Sequence, residues 1–310
     1  MATNSILAGL DVSAVPRGHS EAGTLSDYWA LTKPEINFLI IIATTAGFWI
    51  GSANPFSHSG ILLFHTLVGT LLVASGAAVL NQLIEMRFDA QMRRTARRPV
   101  ASGRVEPAHA LCFGVRLSVI GVAYLVFTTS ALAAVLAVLT LLSYLFLYTP
   151  AKRITPWCTL SGAVPGAAPP LIGCAAATGH ITAGAWVLFA IVFLWQFPHF
   201  MAIAWMYRQD YARAKYLVLP LGEKSCRFMA WQSVLPSLLV LLPVTLSPQL
   251  LGRSSVTYIV GAFLVSSIFA YFAAQLALRQ SNAAARRLLL ASILYLPLLF
   301  GLIFVTERFQ

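Results

Sequence analysis

Residues 60–99 read GILLFHTLVGTLLVASGAAVLNQLIEMRFDAQMRRTARRP. The opening part is an apolar run long enough to cross a bilayer, which takes roughly 20 residues for about 30 Å of hydrocarbon. Where it ends, Asn81, Glu85 and Asp89 follow at four-residue steps, and Arg93, Arg94, Arg97 and Arg98 come next. On a helix, steps of four advance about 40° beyond a full turn, so these three oxygen-bearing side chains share one face. The stretch reads as a spanning helix that carries hard ligands to one edge of the membrane and sets cations beside them.

The rest of the chain repeats the apolar theme. Of its 310 residues, 58% are hydrophobic and only 10% charged, and the mean hydropathy is +0.77. That composition belongs to polytopic membrane proteins rather than to a soluble core. Nine segments qualify or nearly qualify as spans, at about residues 35–52, 60–83, 107–127, 130–149, 157–177, 184–207, 229–247, 255–277 and 288–306. The expected fold class is an all-α membrane protein, a nine-transmembrane-helix bundle with its active-site loops on the cytoplasmic side. Residues 28–310 form a single transmembrane domain, because lipid demands internally satisfied backbone and no polar insert is long enough for a second domain.

The net charge of +11 does not point to nucleic acid, since the basic residues crowd into alternate loops. Arg87, Arg93, Arg94, Arg97, Arg98 and Arg104 follow the second span, and Lys152 and Arg153 the fourth. Arg208, Arg213, Lys215, Lys224 and Arg227 follow the sixth, and Arg279, Arg286 and Arg287 the eighth. The positive-inside bias makes that side cytoplasmic, with the N-terminus inside and Gln310 outside an inner membrane. Residues 1–27 read as a disordered cytoplasmic tail without a cleaved signal peptide. Cys112, Cys158, Cys174 and Cys226 lie too far apart for a zinc or disulfide framework.

Two carboxylates and an amide suit Mg2+, which binds few protein oxygens and completes its shell with substrate phosphates. Arg94, Arg97, Arg98, Lys152 and Arg153 could neutralise the remaining phosphate charge, and Lys215 could add a cation to diphosphate or only solubilise its loop. The plainer alternative is that Glu85 and Asp89 pair with Arg93 and its neighbours along the helix. A second constellation, WQFPHFMAIAWMYRQDYARAK, runs from Trp195 to Lys215. Trp195, His199, Trp205, Tyr207 and Tyr211 either line a pocket for a flat ligand and a carbocation or form an interfacial aromatic belt. Gly162, Pro165, Gly166, Pro169, Pro170 and Gly173 make the fifth span a broken or closely packed helix.

These residues resemble the intramembrane aromatic prenyltransferases, and among them the haem-farnesylating branch. The resemblance runs from Leu31-Thr32-Lys33-Pro34 through the ninth span. It is most specific at N-x-x-x-E-x-x-x-D-x-x-M-x-R-T-x-x-R-P, Asn81 to Pro99, and at W-Q-x-P-H-F, Trp195 to Phe200. Ser102-Gly103-Arg104, Tyr148-Thr149, Lys152-Arg153 and Thr155-Pro156 add to it. It implies Mg2+ and farnesyl diphosphate held in the cytoplasmic loops, haem b as acceptor, haem O as product and haem-receiving oxidase assembly proteins as partners. Asn81, Glu85 and Asp89 then correspond to the first diphosphate motif, and Tyr207, Asp210 and Tyr211 to the second. The chain departs from the pattern in having Glu85 where Asp is common, Asp210 as the only acid of the second motif, Gln209 for an acid, Lys215 for Gly and Cys158 for Asn.

Two other readings compete. A quinone-pathway prenyltransferase acting on an aromatic acid would share the first motif, although the haem-like W-Q-x-P-H-F counts against it. A non-enzymatic membrane transporter would place its acids near the bilayer midplane within repeats, and here they gather at one face. A haem carrier would leave the diphosphate-like motif without a purpose.

Overall fold

The computed structural model describes residues 23–52, 59–220, 222, 224–241, 244 and 256–308. Among them every regular element is helical, as it must be for backbone groups that face lipid. A short helix α1 (Leu25–Leu31) leads into α2 (Pro34–Gly51), α3 (Ser59–Asp89) and α4 (Pro107–Thr128). Helix α5 (Ala131–Leu142) passes through a π-helical stretch, Ser143–Tyr148, into α6 (Thr149–Ile154). Then come α7 (Cys158–Ala167), α8 (Pro169–Thr178), α9 (Ala183–Met206), α10 (Arg208–Arg213), α11 (Lys224–Leu239), α12 (Val256–Arg279) and α13 (Asn282–Arg308).

Eight stretches among the described residues are long and apolar enough to span a membrane. The expected segment at 229–247 begins within α11, and residues 242, 243 and 245–247 of it lie outside the described residues. The span made by α7 and α8 is 72% buried and α9 is 61% buried, whereas no other exceeds 39%. These two therefore form the centre of the bundle. Large apolar side chains on the outer helices, such as Val119, Phe127, Phe146 and Phe263, are exposed, as a lipid-facing surface requires.

The fifth span is both broken and closely packed. Pro169 and Pro170 have no N–H to continue the ladder, so the axis breaks at Ala168 between α7 and α8. A Cβ on Gly47 of α2 would collide with the Pro170 carbonyl, and one on Gly173 would collide with the Thr44 carbonyl. Helices α2 and α8 thus touch backbone to backbone. Gly166 leaves room for the Gln196 side chain, whose Nε2 donates to the Ala163 carbonyl at 3.0 Å. That bond ties α9 to the broken helix.

Two expectations need correcting. The tail read over 1–27 ends earlier, because Thr24 caps α1 in a reciprocal capping box with Asp27. Arg104 Nε then donates to Asp27 Oδ1 at 2.8 Å, and this holds the carboxyl of Asp27 below its usual range; the earlier part of the tail lies outside the described residues. The fourth span, expected to end near 149, continues to Ile154 with its π-helical turn. Pro150 offers no N–H to the carbonyl four residues back, and the Tyr144 carbonyl accepts from the Thr149 N–H and hydroxyl instead.

The contact between α2 and α8 gives a direct test. Gly47→Ala should destabilise the bundle by about 1–3 kcal/mol through overpacking. Gly301→Ala, in α13 where an added Cβ meets nothing within 4 Å, should be neutral or slightly stabilising. Unfolding both in mixed micelles against the parent protein checks the pair.

Candidate active site

The acidic face expected on the second span is real. Helix α3 runs through Asp89 without interruption, and Asn81, Glu85 and Asp89 retain only 1%, 5% and 1% of their surface exposed. Burying two carboxylates demands partners, and these come from elsewhere in the fold. Lys152 Nζ donates to Glu85 Oε1 at 2.7 Å. Arg98 Nη1 donates to Asp89 Oδ2 at 2.7 Å.

Asn81 completes the row. Its Oδ1 accepts from Lys33 Nζ at 3.1 Å and from the Tyr144 hydroxyl at 3.4 Å, and its Nδ2 donates to Thr149 Oγ1 at 3.1 Å. The π-helical turn delivers three of these groups together, since it re-aims Tyr144 and Thr149 toward Asn81 and carries Lys152 to Glu85. Such turns insert one residue into the helical phase and recur at functional sites. Lys152 also lies 4.5 Å above the Tyr148 ring, which fits beside Gly162 because a Cβ there would strike the ring.

The other expected cations have partners outside the row or are exposed. Arg153 stacks over Phe88 at 4.3 Å, and Arg94 over Tyr207 at 4.8 Å. Arg97 is exposed, and its carbonyl accepts from Arg104 Nη2 at 2.9 Å. Lys215 is exposed with a left-handed φ of 56°, the conformation glycine adopts without penalty. Among the described residues, no hydrogen bond or ion pair links the Lys215 side chain to Glu85 or Asp89.

The aromatic constellation divides in two. Trp195 Nε1 donates to the Ser292 carbonyl at 2.8 Å, and His199 Nδ1 lies 2.7 Å from Ser292 Oγ. Their rings stack at 4.7 Å, so both residues tie α9 to α13. Ser292 Oγ donates to the Leu289 carbonyl; it therefore accepts from His199 Nδ1–H, which leaves Nε2 as the nitrogen with a lone pair. Tyr207 and Asp210 instead join the arginine loop. Asp210 Oδ2 accepts from the Arg94 backbone at 3.3 Å and Oδ1 from Arg213 at 2.9 Å, so it pins that loop in place. Tyr211 lines a cavity of about 310 Å³ with Trp205, Arg208, Tyr216, Leu219 and Cys226.

Sequence reasoning overlooked Lys33, Tyr144 and Tyr216 as site residues. Lys33 was visible only as part of Leu31-Thr32-Lys33-Pro34, and its positive φ of 52° has no signature in a single sequence. Burial away from water pushes its pKa down to about 7, aided by the Arg98 cation and opposed by Glu85. The Tyr216 ring packs 5.6 Å from Phe88, and its phenol is raised by burial and then by the charge of Glu85.

The donor set fits Mg2+. Asp89 Oδ1 is buried with no hydrogen-bond partner, an oxygen ready for a ligand. Among the described residues no group of three or more His, Cys, Asp or Glu is gathered, so substrate oxygens would have to complete the shell. Buried pairing also predicts a stability effect. Lys152→Met should destabilise the protein by on the order of 3 kcal/mol by stranding Glu85, and adding Glu85→Gln should recover most of it. Equal unfolding midpoints for the single variant and the parent would contradict the pairing.

The model of the UbiA prenyltransferase family matches residues 40–296. The chain is 48% identical over 285 residues to a protoheme IX farnesyltransferase of Solibacter usitatus (strain Ellin6076), covering 90% of this chain and 97% of the relative. It is 43% identical over 282 residues to the protein of that name from Salinibacter ruber (strain DSM 13855 / M31), covering 91% and 98%. Among solved structures, a digeranylgeranylglyceryl phosphate synthase superposes with a TM-score of 0.71 at 18% identity, covering 91% of this chain and 98% of that one. A UbiA homolog from Archaeoglobus fulgidus bound to GPP and Mg2+ superposes with 0.59 at 13% identity, covering 89% and 99%. The match includes the acidic face of α3, the π-helical turn that meets it and the aromatic segment of α9: the chain belongs to the UbiA prenyltransferase family.

Proposed function

We propose that this integral, multi-pass membrane protein transfers the farnesyl group of farnesyl diphosphate to a vinyl group of haem b. The products are haem O and diphosphate. The observation that carries the reading is the buried row of Asn81, Glu85 and Asp89, faced by Lys33, Arg98 and Lys152 at one edge of the bundle. Its opposed charges suit a metal-bound polyanion, and the relatives named protoheme IX farnesyltransferase share the chain almost end to end. Asn81, Glu85 and Asp89 would hold Mg2+, which when bound would neutralise charge growing on the leaving diphosphate.

The protein's own residues do the rest. Arg98 and Lys152, with Arg94, Arg97 and Arg153 nearby, bind the diphosphate and stabilise it as the carbon–oxygen bond to farnesyl breaks. The allylic cation is attacked by the terminal vinyl carbon, forming a carbon–carbon bond and moving positive charge to the carbon beside the porphyrin ring. Water adds there and releases a proton, giving the hydroxyethylfarnesyl chain. Tyr144, beside Asn81, offers a ring face to the cation, and the apolar bundle limits its early capture by water. The bilayer gives the farnesyl tail a lateral path.

By the same reading, the basic loops face the cytoplasm, the N-terminus lies inside and the C-terminus outside an inner membrane, and haem O passes to oxidase assembly proteins. The test follows product mass with haem b, farnesyl diphosphate and Mg2+, with and without chelator. Magnesium-dependent haem O is expected, and Asp89→Asn should lower turnover at least about a hundredfold, or roughly 2.7 kcal/mol in the barrier, while still inserting. Prenylation of an aromatic acid with no haem product would overturn the proposal.

A further inference from the structure

A cavity of about 310 Å³ lies beyond the acidic row, between the end of α9, α10 and the first turn of α11, with Trp205, Arg208, Tyr211, Tyr216, Leu219 and Cys226 in its wall. A space of that size, lined by aromatic and apolar groups with a few polar ones, is the common form of a small-molecule site. Tyr216 connects it to the row. Its ring packs 5.6 Å from Phe88, the neighbour of Asp89 on α3, and 6.1 Å from Tyr211. The cavity therefore adjoins, across an aromatic wall, the end of α3 that carries Asp89.

Its polar groups are left without partners of their own kind. Trp205 is 8% exposed, and its Nε1–H meets no acceptor among the described residues, although a buried donor left unpaired is costly. Trp195, on the same helix, gives its Nε1–H to the Ser292 carbonyl. Arg208 stands 4.7 Å over the Trp205 ring, and its Nη1 donates to the Trp205 carbonyl at 2.7 Å and to Asn282 Oδ1 at 2.9 Å. Both acceptors are neutral, and among the described residues no carboxylate pairs with Arg208. Asp210, two positions on, is already taken by the Arg94 N–H and by Arg213. The guanidinium is thus fixed through one nitrogen, and the Nε–Nη2 edge of its fork remains for an anion. That edge matches a carboxylate with two parallel bonds.

We infer that this cavity is a porphyrin carboxylate subsite, in which Arg208 and the Trp205 Nε1–H take a propionate of the haem acceptor while Tyr211 and Tyr216 pack beside the macrocycle. A diphosphate suits it poorly, because Arg208 is its single lining cation and much of its wall is apolar. Haem b carries its two propionates on the edge of the ring away from its vinyl groups. A propionate anchored at Arg208 would direct the vinyl edge away from that residue and, past Tyr216, toward the acidic row. The inference rests on the haem acceptor proposed above.

The test uses the full-length protein in detergent without added phospholipid, so that lipid phosphate does not compete as the anion. Equilibrium binding of haem b and of its dimethyl ester, whose propionates are capped, is read from the Soret absorbance in the absence of farnesyl diphosphate. The parent protein should bind haem b at least about tenfold more tightly than the diester, the scale of a charge-assisted hydrogen bond. R208Q should remove most of that preference by weakening haem b and sparing the diester. It should also raise KM for haem b and leave KM for farnesyl diphosphate unchanged. R208K, a point charge in place of a fork, should keep part of the preference. W205F, which retains a ring and loses the N–H, should narrow it roughly threefold, and serves if R208Q does not fold. Equal affinity of the parent for the two porphyrins, or an undiminished preference in folded R208Q or W205F, would overturn the subsite. A parent protein that binds neither porphyrin would overturn the acceptor assignment on which it rests.

Discussion

Two carboxylates buried at the edge of a membrane bundle govern much of this structure. Glu85 and Asp89 lie on α3 with almost no surface exposed, and neither could stay ionised there without a nearby cation. Lys152 and Arg98 supply those charges from other segments. The arginine loop after α3 must fold back to bring Arg98 to Asp89, and α6 must extend the fourth span to bring Lys152 to Glu85. Asp210 from α10 then fastens the arginine loop through the Arg94 backbone. The architecture of this membrane face follows from satisfying two acids.

The same arrangement gives the site its chemical character. A buried ion pair is a poor device for stability, because desolvation offsets much of its attraction. It is a good device for holding opposite charges ready for a ligand that needs both. Carboxylates and cations stand side by side, already desolvated and oriented. On the proposed function, a metal diphosphate would replace each internal pair with a stronger contact, so that rearrangement would be confined to a few side chains on rigid helices.

Much of this was legible in the sequence. Four-residue steps on an apolar helix fixed the shared face of Asn81, Glu85 and Asp89, and the prolines and glycines of the fifth span announced its break and its close contact with a neighbour. The partners were harder to read. A helix-local reading would pair the acids with Arg93 and its neighbours, which holds for Asp89 with Arg98, whereas Glu85 meets a lysine 67 residues away and Asn81 meets Lys33, 48 residues away. The π-helical turn leaves no periodic trace beyond Pro150. The aromatic segment looked like one constellation because its residues are contiguous, yet Trp195 and His199 turn to α13 while Tyr207 and Asp210 meet the arginine loop. Lys215, a departure from the resembled pattern, occupies a left-handed position where glycine would be at ease.

The central claim is that the acidic row holds a metal ion in direct contact with diphosphate. Electron paramagnetic resonance of Mn2+, substituted for Mg2+ and read for hyperfine coupling to phosphorus-31, tests it most directly. The account predicts a protein-bound Mn2+ signal that appears only with diphosphate, carries phosphorus coupling and disappears in Asp89→Asn. An unchanged, phosphorus-coupled signal in that variant would contradict it.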